Sequence, residues 1–163
     1  MVTTMTKVIV FDLDDTLYDR TGQLDETYKN MLNIKLFSDA AEVLEKIPFR
    51  KFLVSCGDKK IQDEKIKVLG IKKYFEDIFI VDTQDGKKVA LEKILVKTRA
   101  KASDIWVIGD KKSSEIRYGN MLGMNTVQMY HGLHKDVKLE SEMDKPKVAI
   151  KKLYELLRIL GVQ

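Results

Sequence analysis

The chain has 163 residues, 44% of them hydrophobic, and a net charge of +4. That is the size of one ordinary domain with enough apolar side chains for a core. It has no apolar run of membrane-spanning length, and its single cysteine, Cys56, excludes an intrachain disulfide. The mild positive bias favours phosphorylated or polyanionic partners at long range. It equally describes solvated helix faces of mixed charge, and no basic block interleaved with aromatics marks a nucleic-acid surface. Met1–Lys7 lacks a signal-peptide apolar region and reads as a short flexible leader, so a cytoplasmic protein without membrane attachment is expected.

In chain order, the first element is a strand over Lys7–Phe11, whose β-branched and aromatic residues predict burial. It runs into Asp12-Leu13-Asp14-Asp15-Thr16. Carboxylates two apart on an extended segment point the same way, so Asp12 and Asp14 are expected to share one small site. Two such carboxylates repel unless a cation lies between them, and a hard divalent ion with oxygen ligands, above all Mg2+, suits the pair. Tyr18–Phe37 is polar and weakly periodic, and reads as a loop or short helix beside that site, one that could serve as a flap.

Further strands are predicted at Lys51–Ser55, Ile78–Val81, Ile105–Ile108 and Asn125–Met129. Helices are predicted near Asp39–Lys46, Gln62–Leu69, Lys88–Thr98 and Ser114–Leu122. A last helix is predicted from Lys145 to Leu160, capped by Asp144, with Pro146 in its first turn. Alternation of strand and helix predicts an α/β domain with a mostly parallel sheet of about five strands, spanning residues 1–163 as one unit. Ligands of such sheets bind beyond the carboxyl ends of the strands. Three strand ends here carry small polar or acidic groups: Asp12, Asp14 and Thr16; Ser55, Cys56, Gly57 and Asp58; Gly109 and Asp110.

On these residues the chain resembles the haloacid dehalogenase-like hydrolases. Asp12, Asp14 and Thr16 match the DxDxT motif of that family. Lys51-Phe52-Leu53-Val54-Ser55 is similar to its second motif, Lys87 to its lysine at the start of a later helix, and Trp106-Val107-Ile108-Gly109-Asp110 to its apolar strand ending in GD. The resemblance implies a Rossmann-like three-layer sandwich and a phosphatase. In that reading Asp12 is the nucleophile that forms an aspartyl-phosphate, and Asp14 is the general acid and base. Mg2+ binds the Asp12 carboxylate, the Asp14 main-chain carbonyl and Asp110. Thr16, Ser55, Cys56 and Lys87 surround the phosphoryl group. An acid at position 14 favours phosphoryl transfer over dehalogenation, because a halide leaves without a proton.

The chain departs from the family pattern at two points. Where the family has a further Asp after GD, this chain has Glu115, which either ligates Mg2+, directly or through water, or orients a neighbour. Lys88 competes with Lys87 for the lysine role, but Leu91 and Ile94 share the helical face of Lys87. The intervals from Asp12 to Ser55 and from Ser55 to Lys87 are too short for an inserted cap domain. An open site is therefore expected, one that admits small or macromolecular phosphorylated substrates or is covered by a second copy in a homo-oligomer. Two rival readings are a phosphate-binding regulatory module with little catalysis, and a phosphorylation receiver using Asp82. His131 and His134 read as a surface loop, and Cys56 as a buried or semi-buried thiol.

Overall fold

The computed structural model describes residues 6–163; most of the leader lies outside the described residues. Six parallel strands form one sheet in the order β3-β2-β1-β4-β5-β6. They are β1 (Val8–Phe11), β2 (Arg50–Cys56), β3 (Asp77–Val81), β4 (Ile105–Gly109), β5 (Asn125–Met129) and β6 (Val148–Ile150). Alternation along β1 sorts its side chains to opposite faces. Ile9 and Phe11 pack with Val43 and Leu44 of helix α2 (Ala40–Lys46), Ile66 of α3 (Lys59–Leu69) and Leu156 of α6 (Glu155–Ile159). Val8 and Val10 pack with Ala90, Leu91 and Ile94 of α4 (Gly86–Thr98) and Tyr118 of α5 (Arg117–Met121). Helices on both faces make a three-layer α/β sandwich. The expectation of about five strands is near enough to the six found.

The chain builds outward from β1 through β2 to β3, then returns to the other side of β1 with β4. At this reversal the loops after β1 and β4 diverge and open a crevice beyond the strand ends. Register aligns Phe11 with both Leu53 and Ile108, so the residues that follow each strand emerge at one level. The Asp12 N–H continues the ladder by donating to the Ile108 carbonyl at 2.9 Å.

The predicted final helix over Lys145–Leu160 is a correction. Val148 and Ile150 alternate as a strand does and pair with Val127 and Met129 of β5. Helix forms only from Glu155. Leu153, Leu156 and Leu160 keep helical spacing, but Pro146 and the β-branched pair upstream favour extended chain. Asp144 caps nothing there. Its buried carboxylate receives both prongs of Arg117, Nε at 2.6 Å and Nη2 at 2.9 Å, and the Glu140 N–H at 3.0 Å. This bidentate pair ties α5 to the segment leading into β6.

The Tyr18–Phe37 segment folds onto the core. It contains a short helix, α1 (Arg20–Gln23), and a 3-10 turn at Met31–Asn33. Tyr18, Leu24 and Ile34 are buried, and Tyr18 bridges to both Asp14 and Leu36.

The Arg117 guanidinium holds the Asp144 carboxyl below its ordinary range. A depressed carboxylate stabilises the fold fully above its unfolded pKa, and that stability is lost as pH falls through the folded value. Arg117→Ala is expected to cost roughly 3 kcal/mol at pH 7 because it strands a buried charge. The deficit should shrink below pH 4, measured by urea unfolding at both pH values.

Candidate active site

Asp12 lies one residue past β1 and is 6% exposed. Its Oδ1 accepts from Lys87 Nζ at 2.9 Å, and its Oδ2 from Thr16 Oγ1 at 3.2 Å. Lys87 reaches this point from the first turn of α4, whose inward face continues as Ala90, Leu91 and Ile94. Its ammonium also donates to Glu115 Oε2 at 2.9 Å. Lys88 points elsewhere and pairs with Glu92 on the same helix. The geometry therefore brings Lys87, not Lys88, to the carboxylates.

Glu115 sits in a π-helical turn, Lys112–Ile116, that leads into α5. The wider turn directs Glu115 inward, where it is 3% exposed. Its Oε1 accepts the Lys111 N–H at 2.9 Å, so both carboxylate oxygens have donors. Gly109 makes room for it: a Cβ there would stand 2.0 Å from Glu115 Cγ. Asp110, 5% exposed, completes a cluster in which one carboxylate oxygen each from Asp12, Asp110 and Glu115 lie within 4.8 Å of one another.

Three buried carboxylates share one ammonium, and the pKa values follow from that imbalance. Burial and the Glu115 charge push Asp12 up to about 6, against the pull of Lys87. Burial and the charges of Glu115 and Asp12 push Asp110 far above the carboxylate range. Burial also acts on Glu115, but the Lys87 charge and the donors from Lys87 and Lys111 overcome it and hold Glu115 near 2. Lys87 is raised: burial opposes its charge, and Asp12 and Glu115 outweigh burial. Excess negative charge among hard oxygen donors is the chemistry that a divalent cation such as Mg2+ satisfies, so these residues fit that ion.

Asp14 does not share this cluster with its side chain. The chain turns sharply after it, with Asp15 in the left-handed region at φ 57°. The Asp15 carboxylate holds that turn by accepting from the Thr21 N–H at 2.9 Å and Thr21 Oγ1 at 2.6 Å. The Asp14 carboxylate faces α3 and the flap segment. Oδ1 accepts from Lys65 Nζ at 2.8 Å and from the Tyr18 hydroxyl at 2.5 Å; Oδ2 accepts from Gln62 Nε2 at 3.1 Å. The same Gln62 amide donates to Ser55 Oγ at 2.6 Å, tying the end of β2 to Asp14. Cys56, half-buried, ends β2; burial raises its thiol pKa, and the charges of Lys87 and Lys111 act on it in the opposite direction. Asp82 follows β3 and is exposed, outside both groups.

Two features lie beyond the sequence expectations. Gln62 and Lys65 are buried polar residues on the inner face of α3; the sequence signal is a Gln and a Lys at the spacing of Ile66 and Leu69. His131 is not a plain surface residue. It is half-buried, its Nε2 lies 2.7 Å from Asp19 Oδ1, and its ring packs edge-on against Phe37, locking the loop after β5 to the flap.

The profile of haloacid dehalogenase-like hydrolases matches residues 21–129, from α1 to the end of β5, and the chain belongs to that family. A phosphoglycolate phosphatase of Vibrio parahaemolyticus is 27% identical over 93% of this chain and 64% of its own length. A glyceraldehyde 3-phosphate phosphatase of Methanopyrus kandleri is 26% identical over 72% of this chain and 52% of its own length. The chain thus spans about half to two thirds of the curated relatives it matches. The crystal structure of a HAD hydrolase, YfnB of Bacillus subtilis, described as bound to magnesium, superposes with a TM-score of 0.75 at 16% identity; the match covers 98% of this chain and 100% of that one.

Asp12 at about 6 lies above its ordinary value of 3.8. A raised carboxyl stabilises the fold below its unfolded pKa, and that contribution is lost as pH rises through the folded value. The metal-free protein is expected to melt at a lower temperature at pH 7.5 than at pH 5.5. Asp12→Asn should weaken that dependence, and millimolar Mg2+ should raise the melting temperature more at pH 7.5. A melting temperature indifferent to both pH and Mg2+ would remove the cluster as a cation site.

Proposed function

We propose that the chain is a Mg2+-dependent phosphatase that hydrolyses phosphoric monoesters through an aspartyl-phosphate on Asp12. The observation that carries this reading is the separation of the two motif acids. Asp12 lies against Lys87 in a buried, charge-rich cluster, while Asp14 faces a different wall. Nucleophilic and proton-transfer roles need those two settings. Membership in a hydrolase family and two relatives named as phosphatases point the same way.

In this mechanism Lys87 holds Asp12 at Oδ1 and presents positive charge beside the incoming phosphoryl group. A carboxylate oxygen of Asp12 bonds to phosphorus as the bond from phosphorus to the leaving oxygen breaks. The leaving oxygen keeps that electron pair and takes a proton from Asp14. Asp14 then removes a proton from water, whose oxygen attacks phosphorus. The Asp12–phosphorus bond breaks and returns its electron pair to the carboxylate. Ser55 and Thr16, both buried, would contact the phosphoryl oxygens; Ser55 accepts from Gln62 and Thr16 donates to Asp12.

Asp12, Asp110 and the main-chain carbonyl of Asp14 would hold the Mg2+. Bound there, the ion offsets the repulsion between Asp12 and an anionic phosphate and stabilises charge in the transition state. Glu115, with one oxygen on Lys87 and the other on the Lys111 N–H, positions the lysine and would add negative charge near the ion.

The described residues insert only α3 and a 3-10 turn between β2 and β3, and only α1, a 3-10 turn and α2 between β1 and β2. The site is therefore open, with the flap at Tyr18–Phe37 as its nearest cover, and accepts phosphorylated substrates of varied size. Purified protein is expected to release phosphate from a panel that begins with phosphoglycolate and glyceraldehyde 3-phosphate, the esters named for its relatives. Activity should require Mg2+ and stop with EDTA. Asp12→Asn should lower turnover by at least ~10³-fold while leaving the circular dichroism spectrum unchanged; full activity in that variant would end the covalent mechanism.

A further inference from the structure

Helix α3 brings two buried polar side chains to Asp14 from one face, and Lys65 is the more telling of them. Its side chain is 2% exposed, against 28% for Asp14. The ammonium lies 2.8 Å from Asp14 Oδ1. It also stands 6.0 Å from the Tyr18 ring centre and 5.6 Å from that of Tyr28. Ile66 and Leu69 share its buried helical face, so an aliphatic residue at position 65 would extend the apolar stripe. Burying an ammonium is costly unless a carboxylate meets it. The core at this point has no packing need for a charge; Asp14 does.

Asp14 has two further donors. Tyr18 gives its hydroxyl to the oxygen that Lys65 also holds, and Gln62 gives its amide to the other. Three donors on two oxygens restrict the rotation of the carboxylate about its Cβ–Cγ bond. Lys65 supplies the only ammonium among them, and charge-assisted hydrogen bonds are the strong ones.

We propose that Lys65 is a positioning residue that aims the Asp14 carboxyl at the leaving-group oxygen, and so sets how well the enzyme handles substrates whose leaving group needs a proton. This rests on the assignment of Asp14 as acid and base. As phosphorus bonds to Asp12, the bond to the leaving oxygen breaks and its electron pair stays on that oxygen. An alkoxide needs the Asp14 proton at that moment, so an alkyl phosphate depends on the aim of Asp14. A 4-nitrophenolate departs as a stable anion and depends on it far less. Lys65 thus separates two substrate classes at the first step, the step that kcat/KM reports.

The test compares wild type, Lys65→Met and Lys65→Arg with Mg2+ present, on phosphoglycolate and on 4-nitrophenyl phosphate. Lys65→Met is expected to lower kcat/KM on the alkyl ester by ~10²-fold, the scale of one positioned proton donor. The loss on the aryl ester should be several-fold at most, and Lys65→Arg should recover most of the alkyl activity. Equal losses on both esters, the mark of a structural role, would overturn the proposal, as would no loss on either. If Lys65→Met does not fold, Lys65→Gln takes its place on the same two esters: a loss confined to the alkyl ester supports the proposal, and equal losses or none overturn it. A wild type that hydrolyses neither ester nor any other phosphomonoester overturns the phosphatase reading itself, and this proposal with it. That result is distinct from equal losses in an active enzyme.

Discussion

The Lys87 ammonium, buried between Asp12 and Glu115, is the interaction on which the site depends. The crevice at the strand reversal concentrates three carboxylates in a region nearly closed to water. Without a counter-charge that arrangement would expel its own chemistry by protonation or unfolding. Lys87 neutralises part of the charge and leaves the cluster with more carboxylates than ammonium groups. The same contact links three elements that are remote in sequence: the end of β1, the start of α4 and the π-helical turn after β4. Gly109 and the π turn are structural consequences of it, because each exists where Glu115 must come close to the sheet.

A second set of contacts governs the outer wall. Asp15, in a left-handed turn, swings the chain away from β1 and is held there by Thr21, while His131 joins Asp19 and Phe37 across the flap. Asp14 and Asp12 meet different partners although only Leu13 lies between them. The expectation that both carboxylates converge on one site holds for strand geometry, but the strand ends at Phe11. Past that point, period-two alternation no longer dictates direction. Asp14 therefore meets α3 and Tyr18, and the two acids stand in different electrostatic surroundings.

Much of the fold was legible because buried parallel strands read as short apolar runs, and five of the six appear that way. The sixth did not, since Val148, Ala149 and Ile150 sit within a stretch whose leucines carry helical spacing. Local pattern favoured one long helix, and pairing with β5 overrode it. Asp144, a plausible cap by position, instead receives Arg117, a partner 27 residues away. On the site, Lys87 could be preferred to Lys88 from helical phase. Gln62 and Lys65 carry a signal in sharing the helical face of Ile66 and Leu69, but local pattern does not name the carboxylate that they meet.

By itself the sequence determined the identity of the acids at the strand ends, the α/β alternation and the short intervals between the motifs, since these are properties of residue type, period and length. Only the tertiary structure decided which charges face one another. It assigned Lys87 to Asp12 and Glu115, Lys65 to Asp14, and Asp14 to a wall apart from Asp12. Those pairings arise from strand order and helix phase across 28 to 75 positions of chain, distances over which local pattern carries no information. The surroundings of the two aspartates in DLDDT therefore differ through the partners that the fold delivers to each.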